Sequence, residues 1–596
     1  MVKEKWMVYG KKADFNGLAL KYKISPVTAR VIRNRNMTDD RAFDQYLNGT
    51  IDSINSPFLF KDMEKAVDIL FEAIKNNERI RIIGDYDIDG ICSTYILVKA
   101  ISKFTGNISM DIPDRIKDGY GINKKLIKKA YDEKIKLIIT CDNGIAAIDE
   151  TAYAKELGMK VIVTDHHNVP FDIVDNQMVY KRVQADAVVN HKQPDCTYPF
   201  KEMCGAAIAY RFVMACMLKL KEKQDTRYKL IEAFEKEMII FAGIATIGDV
   251  VSLLDENRII AKAGLSLLKE NTNIGLEALI NRCELDKNNI SSFHIGYIIG
   301  PCLNAAGRLE TAKMGLELLL CDNKEKAEKL AEELVILNQK RKELTLEGEK
   351  KAVDYALKME DSKVLVVFLE DIHESIAGII AGRIREKFNK PTIILTKGEE
   401  MVKGSGRSIE GYNMYEEINK CSKLLSRFGG HIMAAGVSLE EKNVEAFREM
   451  LNKNCSLTED DYIKKVWIDV PMPLNYISGE LIHELKKLEP FGKDNEKPIF
   501  AVKDIVVKKM YLMGKAKNMA RLILVENGYE IAGVMFNGLE DYLTGIRDKY
   551  GEETVRKMQM GMTVNIAGAF TYYPTINNYN GNESIQITIC LLYTSD

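Results

Sequence analysis

Aspartates and histidines recur in this chain at places where they could bind divalent cations. GDYDIDG at 84–90 offers Asp85, Asp87 and Asp89, TCDNG at 140–144 offers Asp142, TDHH at 164–167 offers Asp165, His166 and His167, and ATIGDVVSL at 245–253 adds Asp249. Carboxylates gathered in one site repel and raise one another's pKa, a cost that bound cations remove. Oxygen ligands with one or two imidazoles suit manganese or magnesium better than zinc, and the histidines favour manganese. Two such ions would activate water and stabilise both the attacked phosphoryl group and the leaving oxygen, so phosphoester hydrolysis is the natural chemistry. D-x-D-x-D-G also opens calcium loops of the EF-hand kind, but the twelfth position, which needs glutamate there, is Ile96. Taken alone, the histidine pair would be strand-end residues satisfied by backbone, and Asp142 an Asx turn before Asn143-Gly144. Only the combination is specific.

The elements that must bring these groups together are short β-branched runs alternating with amphipathic stretches: RIRIIG at 79–84, ISMDIP at 108–113, KLIIT at 136–140, KVIVT at 160–164 and DAVVN at 186–190. Such alternation predicts an α/β domain with a doubly wound parallel sheet, whose loops after the strand C-termini converge on one crevice. Helical sequence dominates from there to about Leu320, including an apolar stretch at 238–254 expected to be one buried helix. Residues 323–358 hold no proline and one glycine, with apolar positions at helical spacing, and predict a long connecting helix. A second α/β unit follows, with strands at 363–369 and 391–396, the helix IAGIIAGRIREKF and the glycine-rich FGGHIMAAG at 428–436. Beyond Tyr462, short strands separated by turns predict a small β-barrel. The first sixty residues read as a separate helical lead-in, and Cys590–Asp596 as a tail that does not continue the barrel pattern. The resulting division is 1–60, 61–322, 323–358, 359–457 and 458–596.

Composition narrows the class. A chain of 596 residues, 46% hydrophobic and 29% charged, without a run of eighteen apolar residues, predicts a soluble multidomain protein with no membrane span. Its first residues lack the apolar region of a secretory signal, so the expected compartment is cytoplasmic. Eleven cysteines without a C-x-x-C pair argue against a disulfide framework or zinc ribbon. Eighty-four basic against eighty-six acidic residues leave a net charge of −2, so any nucleic-acid-binding surface must be local.

The order DYDIDG, PDRIKDGYG, TCDNG, TDHH and GDVV resembles the DHH phosphoesterases, and within them the RecJ exonucleases. GPCLNAAGRLE at 300–310, GSGRSIEG at 404–411, FGGHIMAAG and LEPFGKDNEKPIF at 488–500 extend the resemblance over nearly the whole chain. It implies a DHH catalytic domain, a connecting helix, a DHH-associated substrate-binding domain and a C-terminal OB-fold barrel. It further implies 5′→3′ hydrolysis of single-stranded DNA to 5′-mononucleotides with manganese or magnesium, in DNA repair and recombination. By resemblance Asp87, Asp89, Asp142, His166 and Asp249 are metal ligands, Asp85 completes the shell and His167 lines the site. Ile83 stands where related phosphoesterases carry a histidine, which shifts weight onto Asp85. Phosphate and substrate contacts fall to Arg115, Asn304, Arg308, Gln339, Arg341, Ser405, Arg407 and His431, the arginines being suited to bidentate phosphate contacts. Cys302 replaces an arginine frequent in GP-x-LNAAGR. In the barrel, Lys503, Lys508, Lys509, Lys515, Lys517 and Arg521 would supply charge, with Phe536, Tyr572 and Tyr573 as stacking candidates or core. A RecQ-like helicase and a single-strand-binding protein are implied partners, and a monomer is expected.

Two rival functions share part of this pattern. Phosphodiesterases for short oligoribonucleotides or cyclic dinucleotides carry the same motifs on shorter chains, whereas the barrel and long helix here favour a polymer. A noncatalytic replication scaffold of the same superfamily would have lost acidic motifs that are intact here.

Overall fold

The computed structural model describes residues 4–115, 119, 121–175, 177–359, 361–579 and 581–594. The chain opens with strand β1 (Glu4–Val8) and three short helices, α1 (Phe15–Tyr22), α2 (Pro26–Asn34) and α3 (Asp40–Asn48). Each helix starts where a short polar side chain accepts a backbone N–H: Asp14 from Gly17, Ser25 from Thr28 and Asp39 from Ala42.

The expected doubly wound sheet follows. Strands β2 (Ile80–Ile83), β3 (Ile108–Asp111), β4 (Leu137–Cys141), β5 (Lys160–Thr164) and β6 (Ala187–Val189) are all parallel, in the order β3-β2-β4-β5-β6. The order reverses between β2 and β4, and ligands bind at such a switch point. Helix α4 (Ile88–Ile101) starts directly after β2, and α5 (Gly205–Glu222) and α6 (Glu235–Gly248) pack beside it. All three are apolar almost all round, which is what burial inside the domain requires.

The apolar stretch 238–254 is not one helix. Helix α6 ends at Gly248, Asp249 caps it, and Val250 turns the chain at φ 57. Val250 is exposed, and Leu253 and Leu254 dock on the C-terminal part of the chain instead, where the Leu253 N–H donates to the Lys493 carbonyl at 2.8 Å. Helices α7 (Asp255–Leu268), α8 (Ile274–Arg282) and α9 (Gly300–Leu309) follow, and a short helix at Lys313–Leu320 completes the domain.

Helix α10 (Lys324–Leu357) runs for 34 residues, about 50 Å at 1.5 Å per residue, and is capped by Asn323. It carries the second α/β unit, in which β7 (Leu365–Phe368), helix α11 (Glu374–Phe388), β8 (Thr392–Lys397), β9 (Val402–Arg407), β10 (Arg427–His431) and β11 (Ala434–Leu439) form a sheet ordered β10-β11-β9-β8-β7.

The C-terminal segment begins with β12 (Lys464–Ile468) and closes a barrel from β13 (Phe500–Met513), β14 (Met519–Glu526), β15 (Tyr529–Met535), β16 (Ile566–Tyr579) and β17 (Asn582–Thr594). Closure comes from β16, which pairs with both β17 and β13. Two sequence expectations change here. The lead-in is not separate: β1 pairs in parallel with β12, and Ile32 and Phe43 share one core with Phe500, Leu522 and Phe570 of the barrel. Residues 590–594 are not an unpaired tail, since β17 pairs with β16 as far as Thr594 opposite Gly568. Among the described residues no helix is long and apolar enough to cross a membrane.

Candidate active site

The predicted carboxylates and imidazoles meet at the C-terminal edge of the parallel sheet. Asp87 caps α4, its Oδ1 accepting from the N–H groups of Asp89 at 3.0 Å and Gly90 at 3.1 Å. Asp89, on the first turn, accepts from Gly205 N–H at 2.6 Å and Ala206 N–H at 2.7 Å at the start of α5. Gly205 must be glycine, because a Cβ there would lie 2.7 Å from the Asp142 Cβ. Asp142 sits in left-handed backbone at φ 61 in the turn after β4. Asn143 secures that turn, donating to the carbonyls of Ile83 at 3.1 Å and Cys141 at 2.9 Å while accepting from Ile122 N–H at 3.2 Å.

His166 Nε2 lies 3.1 Å from Asp142 Oδ1, 3.7 Å from Asp89 Oδ2 and 3.8 Å from Asp249 Oδ2. Three overlapping groups, Asp142–His166–His167, Asp89–His166–Asp249 and Asp85–Asp87–Asp142, each hold their possible ligand atoms within 4.8 Å of one another. Asp85, Asp87, Asp89, Asp142, His166, His167 and Asp249 all enter these groups, whereas Asp165, offered by the same sequence motif, does not. His167 enters as a potential ligand as well as a lining residue.

The electrostatics are those of a site built for cations. Burial, reinforced by neighbouring carboxylates, pushes Asp85, Asp142 and Asp249 well above the usual carboxylate range and raises Asp89. Burial holds the His166 imidazole down at about 4, so its ring is neutral and can donate a lone pair. Asp165, buried beside them, plays a different part. Its Oδ1 accepts from His166 N–H, His167 N–H and His167 Nδ1 at 2.7, 3.1 and 2.8 Å, and its Oδ2 from Ile145 N–H at 2.8 Å. Burial opposes both charges, yet the pair holds Asp165 at about 2 and His167 at about 9. A carboxylate on Nδ1 leaves Nε2 as the nitrogen free to ligate, the usual way a second carboxylate orients a metal-binding histidine.

A second constellation lies next to the first. Arg115, Arg308, Arg383, Ser405 and Arg407 line a cavity of about 360 Å³ between the two α/β domains. An adjoining cavity of about 440 Å³ shares Arg115 and Ser405 and reaches Tyr86, which stands between Asp85 and Asp87. The Arg115 guanidinium lies over the Tyr86 ring at 4.8 Å, and Arg308 Nη1 donates to the Ser375 carbonyl at 2.7 Å. Burial, with Arg115 and Arg341 close by, lowers the Arg308 pKa to about 10; burial with Arg385 and Arg115 lowers that of Arg407. Buried guanidiniums that repel one another stabilise a bound anion. Sequence reasoning missed Arg427 and Lys403 in the second cavity; the glycines beside them were the available signal.

Other expected substrate contacts fall elsewhere. Asn304 Oδ1 accepts from the Ile88 N–H at 2.7 Å, so it fixes the start of α4. Gln339 is exposed on α10 and donates to Glu343, and His431 is exposed at the end of β10; neither lines these cavities. Arg341 donates to Asn338 Oδ1 on its own helix while lying near Arg308. In the barrel, Tyr572 and Tyr573 are core, the Tyr572 hydroxyl donating to the Met472 carbonyl, and Phe536 is exposed.

Residues 79–242 match the DHH family, N-terminal domain, residues 361–457 the DHHA1 domain and residues 468–590 the RecJ OB domain. The single-stranded-DNA-specific exonuclease RecJ of Salmonella typhimurium is 31% identical, with 95% of each chain covered. The chain belongs to the RecJ family. RecJ of Bacillus subtilis is 34% identical over 86% of this chain, which spans 63% of that protein's length. The crystal structure of RecJ from Thermus thermophilus in complex with Mn2+ covers all of this chain and 80% of its own, with a TM-score of 0.77 at 24% identity, and so has the same fold. The expected order of DHH domain, connecting helix, DHH-associated domain and OB barrel is borne out.

Proposed function

We propose that this chain degrades single-stranded DNA from its 5′ end toward its 3′ end, releasing 5′-mononucleotides by metal-dependent phosphodiester hydrolysis. The observation that carries the reading is the juxtaposition, across Tyr86, of the carboxylate–imidazole cluster with two adjoining cavities lined by arginines and roomy enough to admit a nucleotide phosphate. Asp85, Asp87, Asp89, Asp142, His166 and Asp249, with His167 through Nε2, fit two divalent cations, manganese first or magnesium, which when bound supply acidified water and neutralise charge on the scissile phosphate. Asp165 holds the His167 ring, and Asn143 and Gly205 keep Asp142 and Asp89 in place. Arg115, Arg308 and Arg407, with the Ser405 hydroxyl, grip a terminal 5′-phosphate and so set the next phosphodiester against the cluster. Selectivity for single strands follows if the passage between the two α/β domains is too narrow for duplex.

The same reading divides the chain into a catalytic unit at 61–322, the connecting helix, a substrate-binding unit at 359–457 and a nucleic-acid-binding barrel from 458. It makes the protein a cytoplasmic monomer in DNA repair and recombination, supplied with single strands by a RecQ-like helicase and a single-strand-binding protein.

The deciding experiment digests single-stranded DNA labelled at either end with manganese, magnesium or chelator, beside an Asp142→Ala protein. Metal-dependent release of mononucleotides from the 5′ end is expected, with Asp142→Ala inactive but still binding DNA. Equal digestion of blunt duplex would sink the narrow-passage account. Binding without cleavage by the intact protein would make it a noncatalytic scaffold.

A further inference from the structure

Two thiols outside the catalytic cluster are placed to react with each other. Cys283 caps the C-terminus of α8 and is partly exposed, whereas Cys302, the third residue of α9, is buried. Their sulfurs are 3.9 Å apart. Among the described residues no other two cysteine sulfurs are in hydrogen-bond contact. A disulfide needs about 2.05 Å, and Cys283, lying beyond the last helical residue, can move toward Cys302 without unwinding α8.

Cys302 is also wired to the arginine cluster. Its sulfur accepts from Asn338 Nδ2 at 3.2 Å, and Asn338 Oδ1 accepts from Arg341 Nε at 3.1 Å and Nη2 at 2.9 Å. Arg341 lies close enough to Arg308 for their charges to interact. One amide therefore separates the thiol pair from a guanidinium whose charge reaches Arg308, which lines the cavity assigned to phosphate.

We propose that Cys283 and Cys302 form a reversible disulfide on exposure to a peroxide, and that this bond weakens the grip on a terminal phosphate through Asn338 and Arg341. The hydrogen bond with Cys302, and then the nearby Lys342 charge, hold the Cys283 thiol below its usual pKa, which favours the thiolate that attacks peroxide. The Cys283 sulfur takes one oxygen from hydrogen peroxide, becoming a sulfenic acid and releasing one water. The Cys302 sulfur then displaces hydroxide from it, which leaves with the Cys302 proton as a second water. Two thiols have lost two electrons and two protons, and the peroxide is reduced to two waters. A dithiol reverses the bond. Drawn toward Cys283, the Cys302 sulfur leaves Asn338, whose amide no longer fixes Arg341.

The bond itself is independent of the proposed function, whereas its effect on phosphate rests on that reading. The test treats the whole protein with hydrogen peroxide, digests it unreduced, and searches by mass spectrometry for a Cys283–Cys302-linked peptide pair two hydrogens lighter than the separate peptides. In parallel, affinity for a 5′-phosphorylated single strand is measured in chelator, before and after oxidation and after dithiothreitol. The linked pair is expected, with a loss of affinity of about 5-fold or more that the dithiol restores. Cys283→Ser, at a partly exposed helix end, should fold, lack the linked pair and keep its affinity through oxidation; Cys302→Ala should also lack the linked pair and ignore peroxide but, without the sulfur that accepts from Asn338, should start from the weakened affinity of the oxidised protein. Absence of the linked pair in the intact protein overturns the disulfide. A linked pair with unchanged affinity overturns the coupling. A reduced protein that ignores the 5′-phosphate overturns the cavity assignment, and the mass of the linked pair still decides the bond.

Discussion

At the residue scale, three aspartates of similar burial have three fates, and their partners decide which. Asp142 faces other carboxylates and His166, so it needs a cation; Asp165 spends four hydrogen bonds on His166, His167 and Ile145, so it orients. Asp165→Asn removes the charge that fixes His167 and should weaken manganese affinity about 10–100-fold. The check is a smaller rise in melting temperature when manganese is added, because bound metal stabilises the folded state by an amount that grows with the logarithm of its affinity. Asp111, at the end of β3, has the third fate. Burial opposes its charge, but Lys129, Arg81 and Lys313 together hold its pKa below the ordinary value. Its contribution to stability is present above the unfolded carboxylate pKa of about 4 and is lost as pH falls through the lowered folded value. Asp111→Asn should therefore destabilise the protein at neutral pH and flatten its loss of stability in acid, read from denaturant unfolding at several pH values.

At the element scale, the phosphate cavity depends on how α10 carries the second α/β unit. Arg308 is on α9, Ser405 and Arg407 are on β9, and α11 lies between them, held against α10 at Gly348. A Cβ at Gly348 would meet Ile380 Cδ1 of α11 at 2.4 Å. Alanine there asks the tips of Ile380 and, by less, Ile372 to move, whereas Gly348→Leu overpacks the contact at a cost of about 1–3 kcal/mol and shifts α11. The expected result is weaker binding of 5′-phosphorylated single strands with metal binding at the aspartate cluster unchanged, measured by titrating each separately. Metal affinity falling equally would show that the two sites are not carried on separable elements.

At the scale of the whole molecule, the two ends of the chain build one body that docks on the catalytic domain. Arg35, which caps the C-terminus of α2, is paired with Asp469 at 2.8 Å, both side chains 3% exposed, and Arg258 of α7 donates to the carbonyls of Tyr46, Leu488 and Lys487. Arg258→Met leaves the carbonyls of Tyr46 and Lys487 without this partner, about 1–3 kcal/mol for each that stays dry, while that of Leu488 keeps Asn495 Nδ2 at 3.0 Å. It should bring forward the unfolding of the lead-in and barrel relative to the catalytic domain, seen in calorimetry as a lower or split transition. None of this docking is legible in the sequence, because β1 finds β12 across some 460 residues and the loop after Asp249 uses its apolar residues on a distant segment, so helical-looking hydrophobicity there misleads. Like-charged arginines from several elements, and the exposed positions of Gln339 and His431, were equally invisible to spacing. What the sequence determined by itself was local: β-branched runs make the strands, their parallel order sends the following loops to one edge, and the aspartates and histidines in those loops must therefore meet. Which of them face a cation, which only hold a neighbour, and where the arginines gather was decided by tertiary structure, because these depend on packing between segments far apart in the chain.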